Sequence, residues 1–189
     1  MDVDDWTAGE RGEALAVTMG TDPGTYAFVL ECPKRQTVQI GRWREIETEP
    51  GYYVYVGSAF GPGGVRARVA RHFRTAKSNH WHIDYLRAHL TPLGAWVSHA
   101  PVRLEHRWAG GLEAAEGFIP LPGFGCSDCH CNAHLFQTHT GQGLERLLGD
   151  DQTELVWWPF TGEPFVFPSP APSCSAAQTS QQFLLPAGP

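Results

Sequence analysis

The 189-residue chain has no apolar run approaching the roughly 18 residues that a membrane-spanning helix needs. It also lacks the basic and then apolar opening of a secretory leader. The first residues are acidic instead, with Asp2, Asp4, Asp5, Glu10 and Glu13. Cysteine is sparse and odd in number: there are five, three of them crowded into Cys126-x-x-Cys129-x-Cys131. That spacing does not read as a secreted disulfide framework, so a reducing cytoplasm is the expected setting, with no membrane partner. Positive charge is in short supply too. A formal net charge of -6 excludes a protein that coats nucleic acid by long-range attraction alone. No internal repeat is present.

What positive charge exists is concentrated. From Gly61 to Ile83 there are five basic residues, Arg66, Arg68, Arg71, Arg74 and Lys77, and no Asp or Glu. A local basic face on an acidic chain suits recognition of one phosphate-bearing shape; the bland alternative is a solvated helix face. The length fits one domain with tails. The expected organisation is an acidic arm over 1–22, a domain over 23–140, an extension over 141–167 and a disordered tail over 168–189. That tail is rich in Pro, Ser, Ala and Gln and carries no charge.

The pattern alternates between strand and helix periods. Gly24 to Leu30 reads as a strand with Tyr26, Phe28 and Leu30 on one face and Ala27 and Val29 on the other. Gln36 to Gly41 is a second strand with Val38 and Ile40 inward, and Arg42 to Pro50 a polar connection. Tyr52 to Gly57 is β-branched and aromatic throughout, which suits a buried strand. Short connections favour an antiparallel meander. After Gly61-Pro62-Gly63-Gly64 the spacing turns helical to about Ala76, with Val65, Val69 and Phe73 on one face. Arg68 and His72 fall at the edge of that face, and Arg66, Arg71 and Arg74 point further round, towards solvent. A second helix is expected over Trp81 to His89, a strand over Leu93 to Val97, and a third helix from Arg103 to about Glu116, weakened by Gly110-Gly111. Phe118 to Asn132 reads as a loop and His134 to Phe136 as a short strand. Leu144, Leu147 and Leu148 suggest a helical turn or two; Val156-Trp157-Trp158 and Phe165-Val166-Phe167 suggest edge strands or aromatic packing.

Several of these blocks carry a resemblance. Gly24-Thr25-Tyr26 and Tyr55-Val56-Gly57 resemble the two halves of the GIY-YIG nuclease signature. The helix Val-Arg-Ala-Arg-Val-Ala-Arg-His has Arg68 where that superfamily places its helical arginine, with His72 four residues on. His80-Trp81-His82-Ile83-Asp84-Tyr85 and Pro122-Gly123-Phe124-Gly125-Cys126-Ser127-Asp128-Cys129 resemble a less characterised branch, sometimes fused to DNA-repair glycosylases. The similarity spans roughly Pro23 to Phe136 and implies an α/β fold, a small mainly antiparallel sheet flanked by helices. It also implies a divalent-metal-dependent DNA endonuclease acting in repair or on branched DNA. Carried over by residue, Tyr26 and Tyr55 position or deprotonate water, Arg68 beside His72 steadies the phosphate, and Glu105 holds one Mg2+ or Mn2+. Arg66, Arg71, Arg74 and Lys77 are the implied nucleic-acid contacts. The chain departs from the better-known nucleases in the extra strand between the tyrosine tripeptides, and no asparagine other than Asn132 stands near the expected late position.

A second constellation is Cys126, Cys129, Cys131 and His134, with His130 alongside and His80 and His82 available from elsewhere. Thiolates and imidazoles at such spacing can hold zinc; the competing reading is a loop that closes over the site. His82 and Asp84 would diverge on a helix, which favours polar contacts at its N-terminus over paired ligation. Three functions remain open at this level: a DNA endonuclease, a non-catalytic nucleic-acid-binding module on the same fold, and a zinc-stabilised interaction domain.

Overall fold

The computed structural model describes residues 21–74, 79–149 and 153–160. The edge strand or aromatic packing expected at 165–167, the terminal arm up to residue 20, Lys77 and the tail lie outside them. Within them the protein is a mixed α/β fold, built on a six-stranded antiparallel sheet with helices on both faces.

The sheet is centred on β1 (Gly24–Cys32), which is buried along nearly its whole length. It pairs antiparallel with β4 (Gly51–Ala59) on one side and β5 (Thr91–Ser98) on the other. A strand buried on both faces must be apolar at consecutive positions, and Tyr-Ala-Phe-Val-Leu supplies that. The sheet extends from β4 through β7 (Leu135–Thr138) to the two-residue β6 (Ile119–Pro120), and from β5 to β8 (Val156–Pro159). The aromatic run Val156–Trp158 is thus an edge strand.

Between β1 and β4 the chain leaves the sheet as a separate hairpin, β2 (Gln36–Ile40) and β3 (Arg44–Thr48). This corrects two expectations. The polar connection over Arg42 to Pro50 contains a strand, and the order is not a simple meander, because β1 skips the hairpin to reach β4. In Arg-Glu-Ile-Glu-Thr the only apolar residue is Ile46. It and Thr48 alternate into the core while the charged residues face water.

Two apolar layers result. Tyr26, Phe28 and Leu30 face one side, against α1 (Gly64–Phe73), α2 (His82–Arg87) and the hairpin. Ala27 and Val29 face the other, against α3 (Glu105–Ala114) and α4 (Leu144–Leu148). On α3, Leu104, Trp108 and Leu112 are buried at four-residue spacing. Its Gly110-Gly111 sits where a Cβ would meet nothing within 4 Å, so the glycines cost helix propensity but disturb no packing. Among the described residues no helix is long and apolar enough to cross a membrane.

Candidate functional site

The antiparallel register sets Tyr26 of β1 directly opposite Gly57 of β4. Paired side chains on one face of such a ladder crowd each other, and here one partner has none. A Cβ on Gly57 would lie 2.6 Å from the Tyr26 ring carbon Cζ, and nearer still to the hydroxyl. The glycine of the second tripeptide therefore makes room for the tyrosine of the first. Gly57→Ala should push the ring out of its seat and cost about 1–3 kcal/mol, the usual penalty of overpacking. Thermal denaturation beside the wild type checks this; an unchanged midpoint would mean that the strands separate without strain.

The freed space lets the Tyr26 hydroxyl reach His72 Nε2 at 2.8 Å. His72 is buried on the sheet side of α1, its ring stacked on Phe28 at 5.3 Å and edge-on to Tyr55 at 6.0 Å. One turn earlier on the same helix, Arg68 lays its guanidinium over the Trp81 ring, 4.3 Å from the centroid. Burial pushes the Tyr26 hydroxyl well above the ordinary tyrosine range; the neighbouring Tyr55 adds to this and Arg68 opposes it. Tyr55 is raised as well, by burial and then by Glu105, again against Arg68. Both phenols keep their protons at neutral pH.

The opposite side of the sheet contributes α3. The Leu104 N–H donates to Thr25 Oγ1 at 3.0 Å, which fixes the helix start beside β1. Glu105 is thereby set in the first turn, where the helix dipole favours a carboxylate. Its Oε1 lies 3.0 Å from His134 Nδ1. Burial alone would raise the Glu105 carboxyl, but hydrogen bonds from His134 and Ser58 outweigh it and hold the group below its ordinary value. His134 shifts upward in return: burial opposes its charge, while Glu105 and then Cys129 stabilise it.

The other edge of the His134 ring, Nε2, meets Cys129 Sγ at 3.2 Å. Next to Glu105 on the helix, His106 Nδ1 meets Cys131 Sγ at 3.2 Å. The donor atoms of His106, Cys129, Cys131 and His134 all lie within 4.8 Å of one another, a group that could hold a metal ion. Burial pushes the Cys131 thiol up to about 11, with Cys129 adding to it, whereas Cys129 is lowered despite burial by bonds from the Cys131 backbone and His134. The loop carrying these cysteines is braced by the β2–β3 hairpin: Arg44 Nη2 donates to Pro122 O at 2.7 Å, and Trp43 packs edge-on against Phe124.

These parts surround one cleft of about 570 Å3, with Tyr26, Tyr55, Arg68, His72 and Glu105 all on its walls. Five sequence-predicted residues from four separate elements thus meet in one place. Other expectations do not converge there. Arg66 and Arg74 are not on the cleft walls, and Lys77 lies outside the described residues. Arg71 does not point freely to solvent: its Nη2 lies 2.9 Å from Asp84 Oδ2, whose side chain is fully buried. The N-terminal role expected for Asp84 is present, since the same oxygen accepts the His80 and Trp81 N–H groups at 2.9 and 3.0 Å. Asn132 turns to Glu113 at 2.9 Å.

Cys126 does not join the cluster. It stands outside the four-donor group, with its Sγ 3.5 Å from Phe124 O and its thiol raised to about 12 by burial and the neighbouring Cys129. Sequence spacing missed His106, which brings a fourth donor atom to the group from α3. Its one available signal was adjacency to Glu105. Arg103 was also missed. It lines the cleft mouth with Nη1 3.3 Å from Ser58 Oγ.

No curated protein and no solved structure matches the chain significantly. Residues 25–155, well over half the chain and all of the cleft, match a family described as the domain of unknown function DUF123, and the chain belongs to that family.

Proposed function

We propose that the cleft hydrolyses phosphodiester bonds in DNA, as a divalent-metal-dependent endonuclease. The observation that carries this reading is the meeting of Tyr26, Tyr55, Arg68, His72 and Glu105 in one cleft, although they come from β1, β4, α1 and α3. Arg68 offers a permanently charged fork matched to phosphate oxygens. Trp81 beneath it and Arg103 at the mouth extend that positive, partly aromatic wall.

The Tyr26–His72 pair handles the proton. Tyr26 takes a proton from the attacking water as its own passes along the 2.8 Å bond to His72 Nε2, leaving an imidazolium and no free phenolate. Tyr55 orients the water from the facing strand. Glu105 is the carboxylate suited to Mg2+ or Mn2+. An ionised carboxylate has about four lone-pair sites, and His134 and Ser58 occupy two, so capacity remains. The ion, when bound, supplies charge stabilisation to the phosphoryl oxygens.

The test is cleavage of labelled duplex, single-stranded, flap and four-way-junction DNA with Mg2+ or Mn2+, beside Arg68→Ala. Cutting that depends on metal and disappears in the variant is the expected result. Salt-sensitive binding of the same DNAs without any cutting would replace the hydrolase with a binding module.

A further inference from the structure

The four donors beside the cleft have a geometry that hydrogen bonding alone does not require. Two come from a loop, Cys129 and Cys131; one from the residue before β7, His134; and one from the first turn of α3, His106. A tetrahedral Cys2His2 zinc shell has ligand-to-ligand edges of about 3.3–3.8 Å, given Zn–S near 2.3 Å and Zn–N near 2.0–2.1 Å. Two edges of the group, His134 Nε2 to Cys129 Sγ and His106 Nδ1 to Cys131 Sγ, are both 3.2 Å. The widest separation in the group is within 4.8 Å, so side-chain movements of about 1 Å close the shell. The burial is graded as a structural site wants it: His134 buried, the cysteines half-buried and His106 at the surface, which leaves a path for entry.

We propose that His106, Cys129, Cys131 and His134 form a structural zinc site, and that Glu105 is its orienting carboxylate. With Nε2 of His134 on the metal, the ring must carry its proton on Nδ1, and that atom faces Glu105 Oε1 at 3.0 Å. A metal-bound histidine that donates its other N–H to a carboxylate is the usual support of such a ligand. Binding converts two thiols to thiolates and releases their protons to solvent. The resulting unit, Zn2+ with two thiolates and two neutral imidazoles, carries no net charge and leaves Glu105 ionised. The shell closes on four protein donors and keeps no open position, so its task is to hold. It clamps the loop between β6 and β7 to the start of α3, and through His134 it fixes the carboxylate on the cleft wall. None of this depends on whether the cleft cuts DNA.

The experiment is metal analysis of the purified full chain, followed by chelation and titration with Co2+. Expected are about one zinc per chain and, for cobalt, visible bands of a tetrahedral site with charge-transfer intensity of two thiolates. Cys129→Ser and His106→Ala should abolish stoichiometric binding, and Cys126→Ser should leave it intact. Glu105→Gln should keep one site but loosen zinc by roughly 10–100-fold, as for other orienting partners. If the Cys129 and His106 variants fail to fold, the cobalt spectrum of the wild type still decides. A three-thiolate spectrum, with binding lost in Cys126→Ser, would overturn the ligand set. Metal-free wild type that gives no cobalt bands would overturn the site.

Discussion

Tyr26→Phe slows DNA cleavage by about 10²–10⁴-fold on the proposed mechanism, the usual worth of a positioned proton-transfer group. The substitution is a clean one. The phenyl ring keeps its place opposite Gly57 and its contact with His72, whose ring centroid lies 5.4 Å away. Only the hydroxyl goes, and with it the 2.8 Å bond to His72 Nε2. Losing a buried partner costs about 1–3 kcal/mol of stability, which leaves a folded protein in which rate can be measured. Single-turnover cleavage with saturating enzyme separates chemistry from binding. The distinguishing readout is the pH profile. The mechanism needs Tyr26 protonated and burial raises it, so the wild-type rate should hold through the ordinary tyrosine range and fall only at more alkaline pH, a limb that disappears in the variant. A variant that cuts at the wild-type rate would remove Tyr26 from the chemistry and leave it a packing residue.

The faces that carry these residues were legible in the sequence because they rest on local periodicity, whereas the choice of Tyr26, Tyr55, Arg68, His72 and Glu105 came from the resemblance. Alternation in Tyr26 to Leu30 set Tyr26, Phe28 and Leu30 on one face, and helical spacing put Arg68 and His72 at the edge of an apolar stripe; both faces are as expected. What periodicity cannot carry is distance through space. Nothing in Arg44–Thr48 marks a strand, because a two-stranded ribbon with one covered face needs little apolar sequence, and Ile46 with Thr48 suffices. The sheet order escaped for the same reason: β1 pairs with β4 and β5, not with the strand that follows it. Arg71 looked solvated because its partner Asp84 lies 13 residues on, across a turn. The metal-type group was half visible. Cys129, Cys131 and His134 share a loop and show as a spacing, but His106 arrives from a helix packed on the opposite face of the sheet from α1. A spacing rule offers the nearest cysteine, Cys126, as the fourth donor, and it has no access to a histidine that is close only in space.

Asp84 is where the cleft wall and the stability of the fold meet, and Asp84→Ala should lower the unfolding free energy by about 3–5 kcal/mol, the cost of removing one partner of a buried pair. Among the described residues its Oδ2 gathers three donors: Arg71 Nη2 and the N–H groups of His80 and Trp81. The two backbone donors belong to the entry of α2, a helix of six residues with little hydrogen bonding of its own to spare. Arg71 also lies over the Trp81 ring at 4.6 Å, on the same indole that Arg68 covers at 4.3 Å. The carboxylate therefore holds Trp81 under two cations, one of them Arg68 at the cleft. Alanine takes the carboxylate away from a partly buried guanidinium and leaves two helix-entry donors short of that acceptor. Because the pair is shielded, added salt should recover little of the loss, unlike the exposed Arg35–Glu47 pair. Urea denaturation of Asp84→Ala, Arg71→Ala and the double variant measures the coupling. A double variant that loses well short of the sum of the two single losses, with unchanged denaturant slope, is the expected result. A loss below about 1 kcal/mol would put Asp84 among ordinary surface pairs and detach the wall from the fold.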